Sequence, residues 1–239
     1  MDEKKPVYKR VLLKLSGEAL AGESGTGLDF QVMNSVCAVI GRMMKLGVEV
    51  GIVVGGGNFW RGVKNGSGKM DRARADYMGM MATVMNCLAL QDVLEQNGVE
   101  VRVQTALAVS GVGEPFHVEN ARRYLSEGKA VIFGGGVGAP FFSTDTGTVL
   151  RAALIEADAI LMAKNIDGVY SADPRKDPSA VKYDTLSYAE VLEKRLAVMD
   201  STATCMAMDN SIPLYIFALA DPENILRAVT GENVGTLVK

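Results

Sequence analysis

Three apolar segments that each run into a glycine-rich or basic turn constrain this sequence more than any other feature. Residues 9–17 hold an apolar run that leads into Lys14 and a Ser-Gly pair. Residues 49–54 lead into three glycines, and residues 130–133 lead into residues 134–138, where four of five positions are glycine. Glycine lets backbone N–H groups approach a phosphate closely, and a lysine adds charge. If these strands share one sheet edge, their turns form a nucleotide-binding crevice.

Strand and helix patterns alternate along almost the whole chain, which predicts an α/β protein. We expect a three-layer α/β/α sandwich with a mainly parallel central sheet, built as one domain over residues 1–239. The predicted strands are residues 11–13, 49–54, 100–104, 130–133, 159–162, 214–217 and 236–238. The predicted helices are residues 30–46, 73–97, 117–127, 145–157, 188–195, 200–210 and a last one opened by Asp221-Pro222. Residues 18–27, 61–70 and 164–187 are predicted to be loops and turns.

Composition excludes several classes of protein. The net charge of −3 argues against a nucleic-acid-binding protein that uses a basic face. No apolar run is long enough to cross a bilayer, and residues 1–6 lack the apolar core of a signal peptide. The three cysteines show no metal-binding or redox spacing, so we expect buried thiols in a reducing cytoplasm.

Familiar nucleotide and hydrolase motifs do not fit. Gly68-Lys69 precedes a methionine and the first glycine of a P-loop is missing, so there is no Walker A sequence. The pattern Gly134-x-Gly136-x-x-Ala139 matches a dinucleotide fingerprint, but a Pro-Phe-Phe run follows where its helix should continue. His117 is the only histidine and no Gly-x-Ser-x-Gly is present, which argues against a serine hydrolase.

A set of charged residues near the strand ends remains. Lys14, Arg61 and Lys164 lie beside or just after predicted strands, and Asp76 and Asp145 accompany them. Phosphoryl transfer needs cations on the transferred group, backbone donors on the phosphates and a carboxylate that orients lysines or magnesium. The inventory suits this reaction, provided that the strands are neighbours in the sheet.

Several blocks of sequence, taken in order, carry a specific resemblance. They are Lys14-Leu15-Ser16-Gly17-Glu18-Ala19-Leu20, Gly55-Gly56-Gly57-Asn58 with Arg61-Gly62, Asp76-Tyr77-Met78-Gly79-Met80, Pro140-Phe141-Phe142-Ser143-Thr144-Asp145, Asp167-Gly168-Val169-Tyr170 with Asp173-Pro174, and Lys194-Arg195-Leu196-Ala197-Val198-Met199-Asp200. The whole chain resembles the bacterial UMP kinases (uridylate kinases) of the amino-acid-kinase fold. The resemblance implies reversible transfer of the γ-phosphoryl group of ATP to UMP, with Mg²⁺ accompanying ATP.

The resemblance also implies roles for individual residues. The catalytic residues would be Lys14, Arg61 and Asp145. The ATP-binding residues would be Lys14, Leu15, Ser16, Gly17, Gly57, Arg61, Lys164, Asn165, Tyr170 and Asp173. The UMP-binding residues would be Gly56, Asp76, Val137, Gly138, Ala139, Pro140, Phe141, Phe142, Ser143 and Thr144. Asp76 would hold the ribose and Asp145 would organise the catalytic lysine, while the choice between Lys164 and Asn165 stays open. No metal-ligating residue is assigned.

Regulation and assembly enter through the same resemblance. The segment Gly22, Glu23, Ser24, Gly25, Thr26 and Gly27 matches a loop tied to activation by GTP, and UTP would inhibit. A homohexamer is implied. The N-terminal half would carry mainly the UMP site and the oligomer contacts, and the C-terminal half mainly the ATP site. The methionines of the helix predicted at residues 73–97 belong to the core or to a subunit interface.

Two departures from the resemblance and two alternative functions accompany this prediction. Many family members carry threonine and asparagine where this chain has Val137 and Ala139. The loss of those polar groups bears on how UMP is recognised.

A related kinase with a carboxylate or carbamate acceptor would keep the fold, and a nucleotide sensor without catalysis would keep only the binding. The retention of Lys14, Arg61 and Asp145 argues against the sensor.

Overall fold

The computed structural model describes residues 5–61, 70–196 and 198–239, and these form an α/β structure around one large sheet. Its strands are β1 (Arg10–Leu15), β2 (Glu49–Val54), β3 (Val101–Thr105), β4 (Glu114–Pro115), β5 (Ala130–Gly134), β6 (Ala159–Lys164), β9 (Thr185–Leu186), β10 (Leu214–Ala218) and β11 (Gly235–Val238), in the spatial order β4-β3-β5-β2-β1-β6-β10-β11-β9. All neighbouring pairs are parallel except β10 with β11. A separate antiparallel pair joins β7 (Val169–Tyr170) to β8 (Lys182–Tyr183).

Helices cover both faces of the sheet, which confirms the three-layer prediction. They are α1 (Gly17–Leu20), α2 (Phe30–Lys45), α3 (Arg72–Gln96), α4 (Val118–Ser126), α5 (Thr144–Leu154), α6 (Tyr188–Glu193), α7 (Ser201–Asp209) and α8 (Glu223–Val229). The α2, α3 and α8 helices pack on the face that holds Leu13, and α4 to α7 pack on the face that holds Leu12. Successive residues of a strand point to opposite faces, so the uninterrupted apolar run of β1 is buried on both sides.

Capping residues and glycines set the ends of the main helices. The carboxylate of Asp29 accepts hydrogen bonds from Gln31 N and Val32 N at the start of α2. Gly47 and Gly98 have φ angles of +88° and +76°, which lets the chain leave α2 and α3 in a left-handed conformation. In the described part of the chain, no helix is apolar and long enough to span a bilayer.

Two predicted loops contain regular structure. Residues 18–27 include most of α1 and a 3₁₀ turn at Gly22–Ser24, and residues 164–187 include β7, β8 and β9. These elements are only two to four residues long, which is too short for a periodic apolar pattern. The buried hydroxyl of Thr236 holds β7 and β8 to the sheet, because it accepts from Val169 N and donates to Tyr183 O. The predicted loop at residues 61–70 lies mostly at residues 62–69, outside the described residues.

One stripe of α3, formed by three of its methionines and a leucine, is at the surface, whereas Met80 is buried. Met78, Met81, Met85 and Leu88 are 42%, 43%, 50% and 43% exposed. Their spacing of three or four residues places them along one side of the helix. The stripe was predicted to belong to the core or to a subunit interface, and the prediction of the core is therefore wrong.

The site prediction requires the strands that lead into the candidate turns to be neighbours in the sheet, and the order of the central strands meets this condition. Strands β5, β2, β1 and β6 are consecutive and parallel. Their carboxyl ends, and the turns that follow them, therefore meet at one edge of the sheet.

Candidate active site

Two lysines and one aspartate form a charged cluster at this edge. Lys14 leaves the end of β1, and its Nζ lies 3.1 Å from Oδ1 of Asp145 in the first turn of α5. That oxygen is buried and makes no hydrogen bond within the described residues, so the ammonium provides its charge compensation. Lys164 ends β6 and donates to Val198 O. Its pKa is lowered, chiefly by burial; the charge of Asp145 opposes the shift and that of Lys14 adds to it.

This cluster suits an anionic ligand. The cluster contains one carboxylate and two ammonium groups, so its net charge is positive in a protein whose total net charge is −3. Both Lys14 and Asp145 are mostly buried, with side-chain exposures of 12% and 19%. Charges fixed in a low-dielectric site act more strongly on a ligand than the same charges in water.

The turn after β2 packs against the turn after β1 through glycines. A Cβ on Gly17 would overlap the carbonyl oxygen of Gly55 in the turn after β2. On the other side of this turn, a Cβ on Gly56 would lie 2.7 Å from the carbonyl oxygen of Gly79 in α3. Only glycine allows these backbones to come so close. Arg61 follows this turn and forms an ion pair with Glu18, a residue for which no role was predicted.

A pair of buried amides ties the turn after β2 to the predicted regulatory loop. Asn86 Nδ2 donates to Gly55 O at 2.7 Å and to Asn58 Oδ1 at 2.8 Å. Asn58 Nδ2 donates to Gly27 O, and Gly27 N donates back to Asn58 O. The end of the segment Gly22–Gly27 is therefore fixed to the residue that follows Gly57.

Asp76 is held by Arg72, to which the resemblance assigned no role, and by the backbone of Phe141, which it assigned to UMP binding. Both of its carboxylate oxygens accept from Arg72 Nε at 2.9 Å, and Oδ2 also accepts from Phe141 N at 2.9 Å. The guanidinium of Arg72 lies 5.6 Å from the ring centroid of Phe141. Asp71, not Asp76, caps the helix, because its side chain accepts from Arg74 N. A helix-capping role for Asp76 is therefore excluded.

The sequence contains a signal that could have identified Arg72, a cation at the start of a predicted helix with an aspartate four residues later. It occupies the first turn of α3, where the helix dipole disfavours a cation. Its pairing with Asp76 one turn later offsets this cost and joins α3 to the segment around Phe141. Phe141 itself has a φ of +71°, an uncommon conformation for a residue other than glycine.

A cavity of about 600 Å³ opens between α3, the turn after β5 and the first turns of α5 and α7. The predicted site residues that line it are Gly56, Gly57, Arg61, Asp76, Val137, Ala139, Phe141, Phe142, Ser143 and Thr144. Further residues that line it include Trp60, Arg72, Met80, Thr83, Thr146 and Asp200. The volume is in the range that small-molecule ligands occupy.

Asp200 joins the two helices at the far wall of this cavity. It accepts from Ser143 Oγ and caps α7 by accepting from Ala203 N at 3.0 Å. Ser143 in turn caps α5, because its Oγ accepts from Thr146 N at 3.1 Å. The sequence showed Asp200 only as the end of a motif block, since no local pattern links it to a residue 57 positions earlier.

The other predicted ATP-binding residues lie apart from the cavity. Leu15 is buried at the end of β1, and Ser16 precedes α1 without a side-chain cap. Asn165 is exposed while Lys164 is half-buried. Tyr170 Oη donates to Asp167 at 2.9 Å, and Asp173 pairs with Arg175. Gly138 and Pro140 belong to the segment after β5 but do not line the cavity.

Metal-binding potential is low in the protein alone. The described ranges contain no group of three or more histidine, cysteine, aspartate or glutamate side chains that could hold a metal ion. A metal at this edge would need ligands from elsewhere.

Comparison with known proteins agrees with this geometry. The sequence model of the amino acid kinase family matches residues 9–218. The structure is similar to a UMP kinase from Bacillus anthracis, with 40% identity over 97% of this chain and 96% of that chain and a TM-score of 0.93. A UMP kinase from Ureaplasma parvum matches at 35% identity, covering 97% and 98% of the two chains, with a TM-score of 0.91. A uridylate kinase from Archaeoglobus fulgidus matches at 31% identity, covering 96% and 99%, with a TM-score of 0.74.

Asp145→Asn should destabilise the protein. The substitution leaves the buried ammonium of Lys14 without its carboxylate, a loss that costs roughly 3 kcal/mol. Asp167→Asn is the matched control, because Asp167 pairs with Lys182 at an exposed position and should cost less than about 1 kcal/mol. Chemical denaturation of both variants measures the difference. Equal effects of the two substitutions would contradict the assignment of Lys14 and Asp145 as a buried pair.

Proposed function

Because the chain belongs to the amino acid kinase family, we propose that it transfers the γ-phosphoryl group of ATP to UMP, giving UDP and ADP. The observation that carries the proposal is the cluster of Lys14, Asp145 and Lys164 beside a cavity of nucleotide size. UMP kinases at 31–40% identity over nearly the full chain support UMP as the acceptor. The reaction belongs to pyrimidine nucleotide synthesis, in which UMP is the precursor of UDP.

The cavity offers a separate place for each part of UMP. Arg61 and the backbone at Gly57 suit the phosphate, since a cation and glycine N–H groups meet there. Asp76 suits the ribose, because a carboxylate has about four acceptor sites and its known contacts leave capacity for a hydroxyl. The base then lies against the wall formed by residues 136–139.

On the donor side, Lys14 and Lys164 face the transferred group. As an oxygen of the UMP phosphate displaces ADP, charge spreads over the three equatorial oxygens of the phosphoryl group. Two preorganised ammonium groups stabilise that charge without rearrangement, and Asp145 keeps Lys14 in place. We assign ATP mainly to the C-terminal half of the chain and UMP mainly to the N-terminal half, with Lys14–Gly17 and Arg61 shared at the boundary.

Magnesium fits this donor set as a companion of ATP. Proteins bind Mg²⁺ through one or two carboxylates together with substrate phosphates, and Asp145 is the carboxylate at this edge. Bound in this way, the ion would neutralise charge on the phosphates. Lys14 and Lys164 would orient and stabilise the transferred group beside it.

Two alternatives compete with this function. A kinase with a carboxylate or carbamate acceptor would need neither a cavity of about 600 Å³ nor Asp76. A nucleotide sensor would not need two buried lysines facing one aspartate. A coupled assay of ADP release with UMP, CMP, dUMP, carbamate and acidic amino acids tests all three. Turnover of UMP well above the others supports the proposal, and absence of UMP turnover overturns it.

We extend the proposal to regulation and location. GTP as activator and UTP as inhibitor are supported by the resemblance of Gly22–Gly27 to a regulatory loop and by its attachment to Asn58 beside Gly57. A cytoplasmic location agrees with free thiols at Cys37, Cys87 and Cys205. Burial raises the pKa values of Cys37 and Cys87 to about 12, whereas Cys205 is exposed, so the expectation of a buried thiol is wrong for that residue.

Lys14→Ala should lower kcat by about 100-fold or more while changing KM for ATP little. The ammonium acts on charge that develops in the transition state, and removal of one such donor costs on this scale. Lys9→Ala is the matched control, because Lys9 lies just before the opposite end of β1 and is 81% exposed. Steady-state kinetics measures both variants. A normal kcat with a raised KM for ATP would contradict the proposed role of Lys14.

Asp76→Asn should raise KM for UMP about tenfold or more and leave KM for ATP nearly unchanged. Hydrogen bonds from ribose hydroxyls to a carboxylate are each worth roughly 1.5–3 kcal/mol, and a neutral amide weakens them. Asp71→Asn serves as control, since asparagine caps a helix as well as aspartate does. Equal changes in both KM values would show that Asp76 acts on the fold of the site rather than on the acceptor.

We also propose that the exposed stripe of α3 is buried between subunits of a homohexamer. Its residues Met78, Met81, Met85 and Leu88 are apolar and 42–50% exposed in the single chain, and such patches mark interaction sites. Met81→Lys with Met85→Lys should give a smaller assembly by light scattering, because lysine disfavours burial. Met208→Lys, on α7 and 39% exposed, should not change the mass. A monomeric natural protein at micromolar concentration would contradict the proposal.

A further inference from the structure

The buried guanidinium of Arg151 is a feature that phosphoryl transfer alone does not require. Arg151 belongs to α5 and is only 5% exposed. Within residues 5–61, 70–196 and 198–239 it has no carboxylate partner, and burial lowers its pKa to about 10, so it stays protonated at neutral pH. A cation out of water without a counter-charge destabilises a fold.

Arg151 is fixed between an aromatic ring and one peptide group. Its Cζ lies 3.6 Å from the ring centroid of Phe116, and that ring packs edge-on against Phe133 at 5.8 Å. Its Nη2 donates to Gly136 O at 3.3 Å. The guanidinium therefore reaches the turn after β5 from the side of α5.

The peptide between Gly136 and Val137 is held on two sides. A Cβ on Gly147, one turn before Arg151 in α5, would lie 3.3 Å from Gly136 C and 3.5 Å from Val137 N, so α5 packs closely against this peptide. In a trans peptide the C=O and N–H groups point in opposite directions. Because Gly136 O faces Arg151, the Val137 N–H points away from it.

That N–H group is available to a ligand. Val137 N donates to no acceptor in the described part of the chain, whereas Gly135 N donates to Thr83 Oγ1 and Gly138 N donates to Gly135 O. Gly136 and Val137 both line the cavity. The side chains of Val137 and Ala139 form no hydrogen bonds, so polar recognition at this wall depends on the backbone.

UMP and CMP differ at the group that such an N–H can read. Uracil carries a carbonyl acceptor at position 4, where cytosine carries an amino donor. A hydrogen bond from a cation to a peptide carbonyl polarises that peptide and strengthens its N–H as a donor. A strengthened donor attracts a carbonyl oxygen and disfavours an amino group.

We propose that Arg151 is a specificity-determining positioning residue, which fixes and polarises the Gly136–Val137 peptide so that the Val137 N–H selects the 4-carbonyl of uracil over the amino group of cytosine. The inference rests on the proposed function. It also accounts for recognition of UMP in a chain that carries apolar side chains at 137 and 139.

The test is the ratio of kcat/KM for UMP to that for CMP in purified full-length variants. Arg151→Met keeps most of the apolar stem without the guanidinium and should lower the ratio by up to about tenfold, the effect of one hydrogen bond lost completely. The loss should fall on KM for UMP, with kcat and KM for ATP nearly unchanged. Arg151→Lys keeps the charge without the planar fork and should recover part of the ratio.

Two further variants make the test decisive. Arg122→Met is the matched control, because Arg122 also donates to a backbone carbonyl, that of Leu154, and should leave the ratio unchanged. Phe116→Leu removes the ring under the guanidinium and should lower the ratio roughly two- to fivefold. If Arg151→Met does not fold, Phe116→Leu and Arg151→Lys still test the proposed role of Arg151.

The outcomes separate this inference from the function on which it rests. If the natural protein does not phosphorylate UMP, the proposed function falls and the inference falls with it. If the natural protein prefers UMP and the Arg151 and Phe116 variants keep that preference, the inference alone is overturned. Equal losses for UMP and CMP would likewise overturn it, because they would indicate a general structural role.

Discussion

The contact between two backbones, at Gly17 and Gly55, is the constraint on which the rest of the site depends. Gly55 N donates to Leu15 O at 3.0 Å, and a side chain on Gly17 would overlap the oxygen of Gly55. This contact brings the turns after β1 and β2 together, directly beside Lys14. Asn86 donates to the same Gly55 carbonyl, so a helix on one face of the sheet is fixed to the edge that carries the candidate site.

The amino-acid sequence was sufficient to predict the α/β class, the longer strands and the main helices. Uninterrupted apolar strands such as Glu49–Val54 and the stop glycines Gly47 and Gly98 give strong local signals. The pairings of Glu18 with Arg61 and of Ser143 with Asp200 could not be predicted, because they join residues that are distant in sequence and depend on how helices pack. The two-residue strands of residues 164–187 were missed because they are too short to show a period.

The charges of the site fall into two groups that differ in burial. Lys14 and Asp145 are mostly buried, whereas Arg61 and Glu18 have side-chain exposures of 45% and 34%. An exposed ion pair is worth little and exchanges partners at low cost. A buried pair is costly to break. The pair of Lys14 and Asp145 is therefore a fixed part of the site, and Arg61 can exchange Glu18 for another anion, such as the phosphate of the proposed acceptor.

The pair of Arg72 and Asp76 combines an exposed and a buried side chain, and it helps to shape the cavity. The side chain of Arg72 is 48% exposed, yet it pairs with an Asp76 side chain that is only 14% exposed and packs on Phe141. Phe141 adopts a left-handed conformation, a strain that its hydrogen bond to Asp76 helps to offset. A ligand hydroxyl that bonds to Asp76 would act on the same carboxylate that holds this loop. In the proposed function, binding of the acceptor and the conformation of the cavity rim would therefore be coupled through one side chain.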